Sequence, residues 1–157
     1  MDSILKLIES NAKLTPAQIA VMCDKKEAEV TEKIKEYEEN GVILGYKGLV
    51  DWDKTDRDYV NALIELKVAP QKDLGFDRIA ERICLIPEVQ SVYLMSGAYD
   101  LLVVVEAKSM KDVSNFVFNR LAPMDGIVAT STHFIMKKYK DKGVTYDASE
   151  DKRGNVL

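Results

Sequence analysis

The fold is decided by a stretch in the second half of the chain, which reads Leu94-Met95-Ser96-Gly97-Ala98-Tyr99-Asp100-Leu101-Leu102-Val103-Val104-Val105. One apolar strand ends here, the chain turns through Ser-Gly-Ala, and five aliphatic residues follow as the next strand. Gly97 supplies backbone freedom at the bend. Asp100 stands beside the buried run, and a carboxylate so close to a sheet interior must be hydrogen-bonded, paired or bound to a ligand. The sequence leaves two interpretations of Asp100 open: a hairpin cap, or part of a ligand site.

The two strands around this turn belong to a pattern of six elements. Alternating apolar residues predict a half-exposed strand over residues 59–68, and a run rich in Thr, Ile and Phe predicts a closing strand over 127–139. Between them, the pattern predicts a helix over 76–84, strands over 89–95 and 101–107, and a helix over 110–121. This order is that of the ferredoxin-like fold, in the α+β class. Because both helices would cover one face of the sheet, we expect a second subunit on the other face, and hence a homodimer.

The first fifty residues begin with signals for two short helices. Apolar residues from Ile4 to Ile8 lie at helical spacing. A second helix begins with Thr15 as its N-cap, Pro16 at the first helical position and Gln18 completing a capping box. The sequence therefore predicts two short helices in this segment.

A third helix and two short strands are predicted to follow. After a turn at residues 24–26, the third helix ends at Asn40-Gly41, which is a good C-terminal stop. Residues 42–50 predict two strands joined near Gly45 to Gly48. The residues expected to face inward from the third helix are Ala28, Val30, Ile34 and Tyr37. Three helices and a small hairpin are typical of a winged helix-turn-helix, whose third helix enters the major groove of DNA.

The sequence therefore predicts two domains. Residues 1–50 form the winged helix-turn-helix, 51–58 a polar linker that contains Trp52, 59–140 the ferredoxin-like ligand-binding and oligomerisation domain, and 141–157 a polar tail that frays.

Charge weakens the prediction of DNA binding without removing it. The chain of 157 residues has a net charge of -4, and residues 1–50 hold seven lysines, no arginine and nine acidic residues. Six of those acids are glutamates on the third helix, and they would be repelled by phosphates unless they point away. A solvated helix that packs two domains together is the alternative. The residues predicted to contact DNA are Thr15, Lys25, Lys26, Thr31, Lys33, Lys35 and Lys47.

Several classes of function lack the necessary residues. Cys23 and Cys84 stand alone without metal-type spacing, so both are expected to be reduced and at least partly buried. With His133 as the single histidine, we expect no metal site, no catalytic residues and no cofactor. There is no apolar run of about 20 residues that could cross a bilayer, and no signal peptide at the start. We expect a cytoplasmic protein without a membrane partner.

Both halves together resemble the Lrp/AsnC family, the feast/famine transcriptional regulators. In the first half the resemblance rests on Ile19-Ala20, Val30, Lys33-Ile34, Tyr37 and the run Asn40-Gly41-Val42-Ile43-Leu44-Gly45-Tyr46. In the second half, Ser96-Gly97-Ala98-Tyr99-Asp100 resembles the family's Gly-x-Tyr-Asp turn. The run Asp125-Gly126-Ile127-Val128-Ala129-Thr130-Ser131-Thr132 resembles its closing strand. The resemblance covers about residues 2 to 140.

The resemblance implies a DNA-binding protein whose dimers assemble into octamers or other multiples. It also implies a small effector, an amino acid, bound by the C-terminal domain where dimers meet. A carboxylate can bind the α-ammonium and exposed backbone N–H groups the α-carboxylate. The residues predicted to bind the effector are Ser96, Gly97, Ala98, Tyr99, Asp100, Thr130 and Thr132. For the two threonines, ordinary β-propensity is the alternative explanation.

The chain also departs from the family pattern. Asp24 stands where a glycine is common in the turn, and Lys26 where a serine usually caps the recognition helix. No arginine, the better bidentate reader of guanine, stands on that helix. An amino-acid-binding oligomeric sensor with weak or no DNA binding is therefore the alternative function. The arrangement also resembles the siroheme decarboxylases, but one histidine offers little for a tetrapyrrole pocket.

Overall fold

The computed structural model describes residues 2–69 and 75–146, and the chain divides after Val50 into two compact units. The first unit holds three helices, α1 (Ser3–Ser10), α2 (Pro16–Cys23) and α3 (Glu27–Glu39). The predicted capping box is confirmed: the Gln18 N–H donates to the Thr15 hydroxyl over 3.2 Å, and the Thr15 N–H donates to the Gln18 side chain over 2.9 Å. A small core joins the three helices through four buried residues, Ile4, Ile19, Ala20 and Val30.

The end of α3 confirms one prediction, and the segment after it contradicts another. Gly41 has a φ of 67°, the left-handed conformation of a helix stop. The predicted strands over residues 42–50 are wrong, because no strand forms there and Leu44 is 94% exposed. The N–H groups of Val42 and Ile43 both donate to the carbonyl of Tyr37, which ties the start of this segment to α3. A two-stranded hairpin without a larger sheet is only marginally stable, and the two glycines of this run weaken it further.

One inward-facing assignment on α3 is also wrong. Val30 is buried and Ile34 and Tyr37 are half-buried, but Ala28 is exposed. With 3.6 residues per turn, Ala28 lies about 200° around the helix from Val30, on the opposite face. Ala28 therefore belongs to the outward surface of α3.

The second unit is an α+β sandwich of one sheet and two helices. Its elements are β1 (Val60–Val68), α4 (Asp77–Cys84), β2 (Val89–Leu94), β3 (Leu101–Ala107), α5 (Met110–Phe116) and β4 (Ile127–Phe134). The sheet order is β2-β3-β1-β4 and every neighbouring pair is antiparallel, as the ferredoxin-like pattern predicts. The closing strand ends at Phe134, five residues earlier than predicted, although the Ile135 N–H still bonds the carbonyl of Asn61.

The core lies between the sheet and the two helices. Alternate residues of β1 and β3 are buried, and they meet Ile79 and Ile83 of α4 and Val113 and Phe116 of α5. After α5 the chain continues through a π-helical turn, Val117–Leu121, which buries Leu121. The buried strand residues are Ala62, Ile64, Leu66, Val68, Leu101, Val103 and Val105.

The other face of the sheet has no helix over it among the described residues. Leu63, Leu102 and Val104 lie at the centre of this open face and are half-buried within a single chain. Glu65 and His133 lie beside them, with 3.4 Å between the carboxylate and the imidazole Nε2. The face for which a partner is predicted is therefore an apolar strip with polar margins.

Two smaller expectations are corrected, and part of the second falls outside the described residues. Cys84 is exposed, because it lies at the end of α4 away from the sheet. The tail predicted to fray from residue 141 instead begins with a small hairpin, β5 (Lys140–Asp141) and β6 (Val144–Thr145). The rest of that tail, residues 147–157, lies outside the described residues. In the part of the chain that is described, no helix is long and apolar enough to cross a membrane.

Candidate effector site and DNA-binding surface

The turn between β2 and β3 is closed by main-chain hydrogen bonds at its base. The Met95 N–H donates to the Asp100 carbonyl over 2.8 Å, and the Asp100 N–H donates to the Leu66 carbonyl over 3.0 Å. Ser96, Gly97 and Ala98 are exposed at the tip of this turn. The hairpin is thus held at its base against the end of β1 while its tip faces solvent.

The Asp100 side chain adds a second attachment to β1. One carboxylate oxygen accepts from the Val68 N–H over 2.8 Å, and the other accepts from the Lys67 ammonium over 3.1 Å. These contacts, the Val68 N–H first, hold the pKa of the Asp100 carboxyl below its usual range. Asp100 therefore anchors the hairpin, and its oxygens keep further lone pairs that a ligand could use.

Lys67 is part of this candidate site, although no sequence motif singled it out. It lies on the open face of β1, with its ammonium against Asp100. The sequence did contain one indication of this role. Lys67 lies at the polar end of the alternating strand β1, which must pass next to the β2–β3 turn. Together, Lys67 and Asp100 place one positive and one negative group beside the exposed turn.

The glycine in this turn is not explained by the fold. The Gly97 backbone does not adopt a left-handed φ, and a Cβ added there would meet nothing within 4 Å. The expectation that the bend needs glycine for its backbone freedom is therefore wrong. Any requirement for glycine here must come from something that approaches the turn.

The two predicted threonines lie on the other face of the sheet. Thr130 pairs with Leu66 and Thr132 with Ile64, so both point toward the helix-covered side. Asp100 precedes the buried Leu101 and contacts Lys67, which is on the open side. Within the described single chain, the register therefore does not bring the threonine hydroxyls to Asp100. Strand propensity is sufficient to explain these two residues.

Among the described residues, three of the seven lysines of the first unit form ion pairs with neighbouring glutamates. Ion pairs along α3 join Lys33 to Glu36 over 2.8 Å and Lys35 to Glu39 over 3.6 Å. Lys25, just before the helix, pairs with Glu29. All of these side chains remain solvent-exposed, so each pair is worth little in stability and can exchange partners.

The other residues predicted to contact DNA differ in whether their side chains already form contacts within the first unit. The Thr15 hydroxyl caps α2, and the Thr31 hydroxyl donates to the Glu27 carbonyl over 2.9 Å. Lys26 occupies the N-cap position of α3, and Lys47 lies in the exposed segment after it. Among the described residues, neither of these two ammonium groups forms an ion pair.

The turn between α2 and α3 is made without a glycine. Asp24 has a φ of 51° and takes the left-handed conformation, which aspartate tolerates better than most residues. The N–H of Lys25 donates to the Ala20 carbonyl over 2.9 Å. The aspartate that stands here in place of the family's common glycine therefore leaves the turn intact.

Comparison with known proteins identifies the second unit. The family model described as the Lrp/AsnC ligand binding domain matches residues 61–145. The chain belongs to the Lrp/AsnC family of transcriptional regulators. The matched range contains the whole sheet except the first residue of β1, and it includes both helices of the second unit.

Relatives of this Lrp/AsnC chain extend the likeness over both units. It is 42% identical to the HTH-type transcriptional regulator YugG of Bacillus subtilis over 155 residues, 98% of this chain and 93% of that protein. It is 25% identical to the HTH-type transcriptional regulator FL11 of Pyrococcus horikoshii, over 88% of both chains. The crystal structure of the transcriptional regulator NMB0573 from Neisseria meningitidis, in complex with L-Met, has a TM-score of 0.71 at 22% identity, over 88% of this chain and 89% of that one. Neither relative is named as an enzyme.

Proposed function

We propose that this chain is a cytoplasmic homo-oligomeric regulator that binds DNA through its first unit and an amino acid through its second. The first unit acts as a helix-turn-helix, with α3 in the major groove. The second pairs with another copy through the open sheet face and presents the β2–β3 turn to the effector. The protein has no catalytic role in this proposal.

The exposed face of α3 is the observation that supports DNA binding. Val30 is buried against α1 and α2, which fixes the rotation of α3 about its own axis. The opposite face is thereby presented to solvent, and it carries the small residues Ala28 and Thr31. Small side chains allow a helix to approach base edges closely, and their methyl groups can contact thymine. Lys26 and Lys47 would neutralise phosphates beside it.

The charged pair at the β2–β3 turn supports an amino-acid effector. The Asp100 carboxylate can bind an α-ammonium group, and the Lys67 ammonium can bind an α-carboxylate. The exposed backbone of Ser96, Gly97 and Ala98 offers N–H donors at the same place. The neighbour crystallised with L-Met gives this ligand class a precedent in the same fold.

The apolar strip of Leu63, Leu102 and Val104 supports pairing of two copies. A sheet face of this kind is ordinarily covered, and a second copy of the same face would cover it symmetrically. Assembly beyond the dimer would bring several α3 helices onto one DNA and strengthen binding by avidity. An effector that binds one assembly more tightly would shift the population toward it, and with it the affinity for DNA.

A mobility-shift assay on DNA from the protein's own promoter region tests this proposal. The assay is run at about 50 and 200 mM salt, with and without a mixture of amino acids. We expect binding that prefers the promoter sequence, weakens strongly with salt and changes with amino acids. Lys26→Ala should weaken binding, whereas Lys108→Ala in the second unit should not.

The ion pairs along α3 favour a second candidate, an amino-acid sensor that does not bind DNA. With its lysines already paired, α3 would contact another protein through its glutamates. Absence of any shift at the lower salt concentration, from a sample that still binds an amino acid, would support this candidate over the first.

A further inference from the structure

A cavity of about 200 Å³ lies at the end of the sheet where β1 begins, on the second unit. Its lining residues come from the segment before β1, from the start of β1, from the first residue of α5 and from the chain just after β4. The lining includes Asp53, Tyr59, Asn61, Met110, Ile135 and Lys138. None of them belongs to the β2–β3 turn or to α3.

The cavity is lined by one carboxylate, that of Asp53, and by two ammonium groups, those of Lys137 and Lys138. Among the described residues, neither the Asp53 carboxylate nor the Lys138 ammonium forms an ion pair. The Lys138 ammonium lies 5.9 Å from the centre of the Tyr59 ring, a weak cation–π contact that leaves its three donors available. The apolar part of the wall comes from Met110 and Ile135.

An ordered cluster of rings supports the Tyr59 wall. The Arg57 guanidinium lies 4.5 Å from the centre of the Trp52 ring and 5.5 Å from that of Tyr59, and it is paired with Glu106. The two rings meet edge to face at 6.5 Å. Burial, followed by the charge of Asp53, raises the pKa of the Tyr59 hydroxyl, so this hydroxyl is neutral at physiological pH. Arg57 is therefore a structural cation, whereas the Lys138 ammonium lies at the cavity wall, where it can bind a ligand.

We propose that this cavity is a second ligand site, for a small zwitterion with an apolar side chain, which is the chemistry of a free aliphatic or thioether amino acid. The Asp53 carboxylate binds its ammonium group, the Lys138 ammonium and the Asn61 amide bind its carboxylate, and Met110 and Ile135 contact its side chain. A ligand of this size, with one charge of each sign, satisfies both unpaired groups at once.

This site is separate from the effector site proposed at the β2–β3 turn. Asn61 and Val68 are seven residues apart on β1, and a strand rises about 3.3 Å per residue, so the two sites are about 23 Å apart. The inference does not depend on the function proposed for Asp100, and each site can fail while the other holds.

Trp52 provides a local signal, because it is the single tryptophan of the chain and it touches the ring that lines the cavity. The full-length protein is titrated with L-methionine and L-leucine while tryptophan fluorescence is followed, and calorimetry counts the sites per chain. N-acetylmethionine and methionine amide, which each lack one of the two charges, are the control ligands. We expect a saturable change with the amino acids, and at least about tenfold weaker binding of either control ligand.

Four variants locate the binding. Asp53→Asn and Lys138→Gln should each weaken the fluorescence titration by about tenfold or more, as loss of a charge-assisted hydrogen bond does. Asp56→Asn, a matched change in the same segment but outside the cavity, should leave it unchanged. Asp100→Ala should also leave it unchanged, while weakening the site at the turn.

Three results would overturn the inference. The first is the absence of a saturable signal by both methods. The second is wild-type binding by both Asp53→Asn and Lys138→Gln, with circular dichroism showing that they are folded. The third is a single site per chain that Asp100→Ala removes.

Discussion

Gly97 and Gly126, both in the second unit, differ in whether the structure leaves room for a side chain. An added Cβ at Gly97 meets open space, whereas at Gly126 it would lie 2.5 Å from the Cδ1 atom of Ile79. Gly126 also has a φ of 92°, which side chains rarely adopt. The fold therefore requires glycine at position 126 but not at position 97. Substituting each glycine separately can distinguish a structural role from a ligand-binding role.

Gly97→Ala is expected to leave stability within about 0.5 kcal/mol of the wild type, since surface changes without a named structural cost have that size. Binding of the amino-acid effector should weaken if the ligand approaches the turn backbone closely. Urea unfolding and calorimetric titration measure the two effects. Unchanged effector affinity would show that the turn backbone is not part of the site.

Gly126→Ala is expected to lower the free energy of unfolding by about 1–3 kcal/mol, because of the unfavourable φ and the contact with Ile79. Urea unfolding monitored by circular dichroism measures the change. A variant as stable as the wild type would mean that α4 can move away from this loop at little cost.

Because of Asp100, the free energy of unfolding of the second unit varies with pH in the acid range. Its contacts with the Val68 N–H and Lys67 hold its folded pKa below the ordinary carboxyl value of about 4. The stabilisation is therefore fully present above about pH 4 and is lost as the pH falls through the lower folded pKa. Asp100→Asn should unfold with a shallower pH dependence than the wild type below about pH 4.

Urea unfolding at several pH values between about 5 and 2.5 tests this prediction. Asp2→Asn is the matched control, since the Asp2 pKa is also lowered, chiefly by the hydroxyl of Tyr37, but in the first unit. Its effect should appear in the unfolding of the α1–α3 unit. Identical pH profiles for Asp100→Asn and the wild type would contradict the anchoring role of the Asp100 carboxylate.

At the scale of the element, the glutamates of α3 are expected to compete with DNA for the lysines of this helix and its N-terminal flank. Neutralising Glu29, Glu36 and Glu39 together by Gln substitution frees three ammonium groups and removes three negative charges. DNA binding should become tighter at low salt. Its dependence on salt should also become steeper, by about 0.9 in the log–log slope for each new phosphate contact.

A salt titration of DNA affinity measures both quantities. The control neutralises three acids of the second unit, Asp56, Glu81 and Asp125, which gives the same change in net charge. An equal gain from both triple variants would mean that net charge alone sets the affinity. No gain from the α3 variant would mean that this helix does not face the phosphates.

At the scale of the whole molecule, the open face of the sheet is expected to hold the dimer together. Leu63→Glu would place a charge in the middle of the apolar strip, and burying an unpaired charge there is costly. We expect a monomer with an unchanged circular dichroism spectrum. Leu85→Glu is the matched control on the helix side, where Leu85 is 84% exposed.

Light scattering coupled to size-exclusion chromatography measures the assembly of each variant. A Leu63→Glu protein that remains dimeric would place the principal interface elsewhere. A Leu85→Glu protein that falls apart would point to the helix layer instead.

Much of this molecule follows from local sequence signals. The capping box at Thr15 and Gln18, the helix stop at Asn40-Gly41 and the strand from Leu101 to Ala107 are each specified by residues a few positions apart. Hydrogen bonds of a cap or a turn form between such neighbours, so the sequence alone determines them. The period of two along β1 likewise determines which residues face the core.

Other features depended on residues far apart in the chain. The side of the sheet that Thr130 and Thr132 face, and the meeting of Asp100 with Lys67, follow from the strand register, which no local pattern specifies. The strands expected over 42–50 need a neighbouring sheet that this unit does not supply. The charged cavity between Asp53 and Lys138 joins segments more than eighty residues apart. Local caps and hydrophobic patterns therefore determined the elements, whereas the sites arose only from the tertiary packing that brings distant side chains together.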